Sequence, residues 1–214
     1  MRTKKIKVYK FDELSDSAKE AARAWWRRAS EGDDFWHENV TEDAKQCFAL
    51  AGFDIDKILF SGFWSQGDGA CFVGSWRARD VKPGALKEHA PQDKELHRIA
   101  AECERIALAF PDASARMAHR DRYCHEYSVS IDVELNAPED SDDIERTAAE
   151  WCAVATQQAP FEEAIVEVLR DAMRWTYRTL EKEYEWQNAD EQVDDNIRAN
   201  EYEFTAEGKR CAAI

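Results

Sequence analysis

The stretch Ser61-Gly-Phe-Trp-Ser-Gln-Gly-Asp-Gly-Ala-Cys-Phe-Val-Gly74 holds four of the eight glycines in this chain of 214 residues. Its centre, Gly67-Asp68-Gly69, is typical of a hairpin turn, because glycine and aspartate adopt positive φ at little steric cost. We therefore predict a β-hairpin with strands at about 53–63 and 70–78. After the turn, apolar and polar positions alternate with the period of two that marks a half-buried strand.

Two further glycines of this stretch suggest a close approach between chain segments. Gly62 and Gly74 are expected to face one another where a bulky ring or another backbone crosses the strands. The same stretch also supports a functional interpretation as a ligand loop. Its candidate residues are Trp64, Ser65, Gln66 and Asp68, together with His125 and Glu126. The chain has no Walker lysine and no G-x-G-x-x-G motif, so nothing indicates nucleotide binding by a known loop.

Outward from the hairpin, hydrophobic periodicity predicts alternating helices and strands. The predicted elements are a first strand near 6–11, a helix capped by Ser15 or Ser17, a helix at 34–51 ended by Gly52 in the left-handed conformation, a helix at 91–109, a second hairpin at 113–122 and 126–135, a turn from Asn136, helices at 141–157 and 160–187 separated by Pro160, and a last strand at Tyr202 and Phe204. This order indicates an α+β fold. We expect an antiparallel sheet of two hairpins plus short terminal strands, covered by about five helices. The prediction is one domain over 1–214; the alternative divides it near residue 136, into a hairpin-containing part (1–135) and a helical part (136–214).

A basic, histidine-bearing segment lies in the second hairpin, from Arg116 to Glu126. If His125 and Glu126 are neighbours on a strand, their side chains point to opposite faces, which argues against a general acid–base pair. His119, Cys124 and His125 could approach a metal, but their spacing matches no metal-binding signature. We therefore predict no metal site, no cofactor and no catalytic residue.

Composition indicates a folded protein of a reducing compartment. Hydrophobic residues make up 44% of the chain, and no apolar run of 18 residues is present, so we expect no membrane segment. The basic N-terminus is not followed by the apolar region of a signal peptide. The six cysteines have irregular spacing without a C-x-x-C pair, as expected for reduced thiols in a cytoplasm.

The chain is strongly acidic, with a formal net charge of −15. Three stretches, 31–56, 131–150 and 181–207, hold most of the negative charge. Such a field repels nucleic acid and attracts basic surfaces, so we expect a partner protein or nucleoprotein with a basic surface. The predicted partner-binding residues are Asp132, Glu134, Glu139, Asp140, Asp142, Asp143, Glu145, Asp190, Glu191, Asp194 and Asp195.

Three phrases of the chain resemble a group of uncharacterised proteins encoded by bacteriophages and prophages. They are Val8-Tyr-Lys-Phe-Asp-Glu-Leu-Ser-Asp-Ser-Ala-Lys19, Ser65-Gln-Gly-Asp-Gly-Ala-Cys-Phe72 and Tyr123-Cys-His-Glu-Tyr-Ser-Val-Ser-Ile-Asp-Val-Glu134. Some proteins of this group carry an antitoxin label. The resemblance implies a phage gene whose product acts in the cytoplasm of a bacterial host, and it supplies no catalytic residues.

Three functions follow as hypotheses, and a binding protein is favoured over an enzyme. The first is an acidic phage protein that inhibits a host defence or another nucleic-acid-handling complex, in the manner of an anti-CRISPR protein, by charge mimicry or steric block. The second is an enzyme or sensor for a small molecule or nucleotide, built on the loop at 65–71. The third is an antitoxin, although the chain lacks a helix-turn-helix signature.

Overall fold

The chain forms two compact units in the computed structural model, which describes residues 7–30, 35–120, 122–135 and 148–211, with side chains from 148 to 157 left undescribed. The smaller unit combines Met1–Glu38 with Lys182–Ile214, and the larger unit is Asn39–Glu181. Neither boundary coincides with the alternative division near residue 136, and sequence periodicity carried no sign that the two ends of the chain share a unit.

Helices and strands are both present in quantity, which confirms the predicted α+β fold. In chain order the elements are β1 (Tyr9–Lys10), a 3-10 turn (Phe11–Glu13), α1 (Asp16–Ser30), α2 (Glu38–Leu50), β2 (Ala51–Phe60), β3 (Ala70–Val81), α3 (Ala85–His89), α4 (Lys94–Ala109), β4 (Ser114–His119), β5 (Val129–Glu134), α5 (Ala148–Asn188), α6 (Asp190–Ala199) and β6 (Glu203–Phe204). Among the described residues, no helix is long and apolar enough to cross a membrane.

The larger unit is built on a four-stranded antiparallel sheet with the strand order β2-β3-β4-β5. Both predicted hairpins are therefore confirmed. Gly52 has the expected positive φ of 88° two residues after the end of α2, at a register shift near the start of β2. Gly62 and Gly74 do not face one another, and that prediction is wrong: Gly74 pairs with Ile55 across β2 and β3.

One face of this sheet carries the hydrophobic core, together with buried residues from α2, α4 and α5. Trp76 of β3 is fully buried, and its Nε1–H donates a hydrogen bond to the Ala51 carbonyl oxygen at 2.9 Å. Phe48 of α2 packs on Phe72 and Trp175, with ring centroids 5.9 and 5.5 Å away. The opposite face presents polar side chains, as expected of an antiparallel sheet with one solvated side.

Helix α5 corrects the predicted break at Pro160. Two helices were expected there, but a single helix runs from Ala148 to Asn188 with Pro160 inside it. A proline in a helix interior costs about 3 kcal/mol. After Pro160, one side of the helix forms a fully buried stripe of side chains, and the packing of this stripe offsets the cost of the proline. Its members are Ile165, Leu169, Ala172, Met173, Thr176 and Leu180. The predicted turn from Asn136 and the start of the first helix lie outside the described residues.

The smaller unit has its own core and its own two-stranded sheet. Strands β1 and β6 pair antiparallel, and the core comprises Phe11, Leu14, Ala18, Ala22, Val193, Ile197 and Phe204. Ser15 precedes α1, and its Oγ accepts a hydrogen bond from the Ala18 N–H at 3.4 Å, so it is the N-cap. Helix α6 was not predicted, because only Val193 and Ile197 interrupt its acidic sequence.

Buried thiols should make the fold sensitive to alkaline pH. Burial raises the pKa of the Cys103 thiol to about 12, from an ordinary value of 9.0. The unfolded chain loses this proton near pH 9 while the folded chain keeps it. Stability is therefore fully present below pH 9 and falls as pH rises toward 12, by about 1.4 kcal/mol per pH unit for this group.

We expect Cys103→Ala to flatten the dependence of unfolding free energy on pH between 9 and 11, measured by urea unfolding with circular dichroism. Cys211, which is partly exposed, provides the control, and Cys211→Ala should leave the slope unchanged. An identical slope in wild type and Cys103→Ala would contradict the assignment.

Candidate functional site

The Gly-rich loop is closed by its own aspartate. Asp68 Oδ2 accepts hydrogen bonds from the backbone N–H groups of Trp64 and Ser65, at 3.0 and 2.7 Å. The Asp68 N–H donates to the Ser65 carbonyl oxygen at 3.1 Å, and Gly67 has a φ of 91°. This geometry confirms a turn in the loop, but the turn spans Ser65 to Asp68, and of the predicted Gly67-Asp68-Gly69 only Gly67 has positive φ. It also commits one Asp68 oxygen to holding the loop, while Trp64, Ser65 and Gln66 are exposed at its tip.

His125 and Glu126 contact each other, contrary to the prediction that they point apart. His125 Nδ1 lies 3.0 Å from Glu126 Oε2. The prediction was wrong because these residues lie in the connection between β4 and β5, where strand alternation does not apply. The His125 ring also stacks on Tyr127, with centroids 5.4 Å apart.

Glu126 is a buried carboxylate held from two sides. Its side chain is 10% exposed, and Oε1 lies 3.5 Å from a terminal nitrogen of Arg174 on α5. Arg174 also pairs with Glu167 and Asp171. Burial lowers the pKa of Arg174, but the hydrogen bonds that it donates to the carboxylates of Asp171 and Glu167 outweigh burial and leave the pKa above its ordinary value. The guanidinium is thus a permanent positive charge beside Glu126.

The two halves of the predicted ligand loop meet at its stem. Ser61 Oγ donates to the Cys124 carbonyl oxygen at 3.4 Å, and a Cβ on Gly69 would lie 2.8 Å from His125 Cδ2. On the other side, the Tyr177 hydroxyl donates to the Gly62 carbonyl oxygen at 3.0 Å. The stem of the loop is therefore seated against the β4–β5 connection and α5, whereas the predicted residues Trp64, Ser65 and Gln66 lie at its exposed tip.

A groove lies on the polar face of the sheet, apart from the Gly-rich loop. It is a groove of about 570 Å³ lined by Asp54, Asp56, Gly74, Ser75, Arg77, Ser114, Ala115, Arg116, Asp132 and Glu134. Its acidic residues lie on the outer strands β2 and β5, and its two arginines lie on the inner strands. Across the sheet, Asp54 pairs with Ser75, Ser75 with Arg116 and Arg116 with Asp132. The predicted residues Asp132 and Glu134 thus belong to a defined groove.

A family model described as "Domain of unknown function (DUF8835)" matches residues 36–190. The chain belongs to this family. No curated protein and no solved structure matches it. The matched region contains the whole larger unit, so the sheet groove, the Gly-rich loop and the His125–Glu126 pair all lie within the DUF8835 domain. The family description itself says nothing of an activity or a ligand.

The predicted acidic residues of α6 lie at or beyond the end of the DUF8835 match. Three of the four are paired within the smaller unit. Asp194 accepts two hydrogen bonds from Arg23, at 2.6 and 2.7 Å, Asp190 pairs with Arg27 at 2.5 Å, and Asp195 pairs with Arg198 at 2.9 Å. Hydrogen bonding from Arg27 lowers the pKa of Asp190. Glu191 is exposed. These pairings hold α6 in place, so their carboxylates are less available to a partner than those of the groove.

The remaining predicted acidic residues are Glu139, Asp140, Asp142, Asp143 and Glu145, which lie outside the described residues. Sequence reasoning did not include Asp54, Asp56 and Arg77 in a site, and it grouped Arg116 with the histidines of the second hairpin and not with these residues. The sequence did contain a signal for these four residues, because all of them fall at polar positions of strands in which apolar and polar residues alternate. What the sequence could not supply was the strand order, which places β2 and β5 at opposite walls of one groove.

Proposed function

We propose that this protein is an acidic binding protein whose sheet groove holds a basic segment of a partner protein. More specifically, we propose a phage-encoded inhibitor that occupies a basic surface of a host defence complex or another nucleic-acid-handling complex. The observation that supports this proposal is the arrangement of Asp54 and Asp56 on one wall of the groove and of Asp132 and Glu134 on the other.

The groove suits a cationic chain segment on physical grounds. Neighbouring strands lie about 4.8 Å apart, so the acidic walls on β2 and β5 are separated by roughly 14 Å. Arg77 is partly balanced by Asp80, at 3.7 Å. Four carboxylates against two guanidinium groups leave the groove acidic, in a chain whose net charge is −15. Lysine or arginine side chains could meet both walls, and the field would speed their encounter.

Neutralising the walls should weaken binding and its dependence on salt. The test variant combines Asp54→Asn, Asp56→Asn, Asp132→Asn and Glu134→Gln, and its partner is the protein captured from the bacterial host by the wild type. Exposed charge pairs contribute about 0.3–1 kcal/mol each, so we expect affinity to fall roughly tenfold or more. Calorimetric titration at low and high salt measures both effects.

A matched control separates the groove from overall charge. Glu88→Gln, Glu162→Gln, Glu163→Gln and Glu185→Gln remove the same charge from exposed positions elsewhere, and this variant should bind almost as the wild type does. Equal losses in both variants would show that only net charge matters. Wild-type affinity that is the same at low and high salt would rule out charge mimicry.

The contact between the two halves of the ligand loop supports a second candidate, a small-molecule or nucleotide-processing enzyme or sensor. The supporting observation is the 3.0 Å separation of His125 Nδ1 and Glu126 Oε2 beside the seat of the loop. A nucleotide panel in a thermal-shift assay tests it. We expect a stabilising nucleotide to lose its effect in Gln66→Ala, an exposed loop position, but not in Glu162→Gln. No shift with any nucleotide would remove the nucleotide form of this candidate.

A further inference from the structure

Three metal-binding side chains converge at the base of the Gly-rich hairpin. Cys71 lies on β3, His119 ends β4, and Cys124 follows in the β4–β5 connection. Their ligand atoms, one from each residue, all lie within 4.8 Å of one another. Sequence reasoning had grouped His119 and Cys124 with His125. The structure replaces His125 with Cys71, a residue 48 positions away from His119 that only the strand pairing brings near.

The donor set selects the metal. Two thiolates and an imidazole are ligands that favour zinc, whereas calcium and magnesium require oxygen ligands, and an iron–sulfur cluster requires four cysteines or their equivalents. Ligand atoms of a tetrahedral zinc site stand about 3.5–3.8 Å apart. The three side chains would therefore need to close by about 1.3 Å at most, which is within the reach of side-chain rotation.

The surroundings favour one neutral tautomer of His119, whereas burial disfavours the free thiolate of Cys71, so its thiol loses the proton only as the metal binds. His119 Nε2 lies 3.0 Å from the Tyr123 carbonyl oxygen. A carbonyl oxygen can only accept, so Nε2 carries the proton of the neutral ring and Nδ1 keeps the lone pair. Burial and the neighbouring Cys124 thiol raise the pKa of Cys71 to about 12, but hydrogen bonds from the His125 backbone and the Ser128 side chain act in the opposite direction by stabilising its thiolate.

We propose that Cys71, His119 and Cys124 bind one zinc ion, which ties the Gly-rich hairpin to the β4–β5 connection. Within the described residues, the group contributes three ligands, so water or another small ligand completes the tetrahedron. Binding releases the thiol protons to solvent as the two zinc–sulfur bonds form. A second group, Asp43, Cys47 and His89, offers a single thiol and two exposed partners and is a weaker candidate. The zinc proposal is independent of the function proposed for the sheet groove.

The test is the metal content of the whole protein, purified under reducing conditions without chelators from cells grown with added zinc. We expect one zinc per chain in the wild type by inductively coupled plasma mass spectrometry. Cys124→Ser and His119→Gln, which change partly exposed residues, should each lower zinc affinity by more than the roughly 10- to 100-fold typical of losing an outer-shell partner. Cobalt should replace zinc and give a thiolate-to-cobalt absorption band that is weaker in Cys124→Ser.

Cys103→Ser is the matched control for Cys71→Ser, because both thiols are fully buried and only Cys71 belongs to the group. Circular dichroism confirms that each variant is folded. Zinc should remain in Cys103→Ser and in Cys47→Ser, and it should be lost from Cys71→Ser. Wild-type protein without zinc, a Cys71–Cys124 disulfide in protein from a reducing cytoplasm, or zinc retained in Cys124→Ser would each overturn the proposal.

Discussion

Gly74→Ala should destabilise the larger unit by about 3 kcal/mol or more, because two costs add at one position. Gly74 has a φ of 151°, a conformation that residues with a Cβ rarely adopt. A Cβ built there would also lie 2.2 Å from the Asp54 carbonyl oxygen. That oxygen belongs to the backbone of β2, so no side-chain rotation relieves the clash. Strands β2 and β3 would have to separate where they pair.

Gly67→Ala is the control, since Gly67 also has positive φ, 91°, but a Cβ there meets nothing within 4 Å. Gly67→Ala should lower the unfolding free energy by about 1 kcal/mol, which is the cost of the backbone conformation without a steric clash. Urea unfolding followed by far-ultraviolet circular dichroism measures both variants. If they lose the same stability, the close approach of Gly74 to β2 has no energetic consequence.

This glycine also shows how far the sequence predicts the fold. Period-two alternation placed both hairpins correctly, because the pattern is local and the turn residues are distinctive. The partner of Gly74 is non-local: register shifts in β2 after Ala51 and Ile55 change which residues oppose each other. A sequence contains no local signal for such shifts. The expected Gly62–Gly74 approach failed for a different reason: the two strands close at Phe60 and Ala70, so Gly62 lies in the loop and not in β2.

Helices α5 and α6 also show where prediction from the sequence fails. Pro160 is a strong local breaker, yet α5 continues through it because the buried stripe after it gains more from packing than one lost hydrogen bond costs. Helix α6 was missed because its charged sequence hides two apolar residues, Val193 and Ile197, that complete the core of the smaller unit. Both errors come from tertiary packing overriding local preference.

For the candidate sites, the sequence showed which residues could bind or react, but it did not show which of them lie next to each other in the fold. His125 and Glu126 were expected to point to opposite faces if they were neighbours on a strand, and their contact became apparent only once the β4–β5 connection was known. Cys71 behaved in the sequence as one apolar position of a hairpin, with no spacing that linked it to His119. Acidic residues of α6 were expected to face a partner, but their arginine partners come from α1 and the end of α6 itself.

Trp76→Ala is expected to lower the unfolding free energy by about 3–5 kcal/mol, the range for removing a buried tryptophan. The side chain lies on the core face of the sheet at zero exposure, so truncation leaves a cavity that the fixed strands cannot close. It also leaves the Ala51 carbonyl oxygen without the Nε1–H donor at 2.9 Å.

Trp76→Phe separates these two costs, since it keeps most of the ring volume and removes the hydrogen bond. We expect it to lose about 1–3 kcal/mol, the cost of a buried acceptor left unsatisfied. Trp64→Ala, at a side chain that is 73% exposed on the loop tip, should lose less than about 0.5 kcal/mol. Circular dichroism is the suitable probe because each variant removes a fluorophore. Equal losses for Trp76→Ala and Trp64→Ala would contradict the placement of Trp76 in the core, and with it the assignment of the opposite sheet face to the groove.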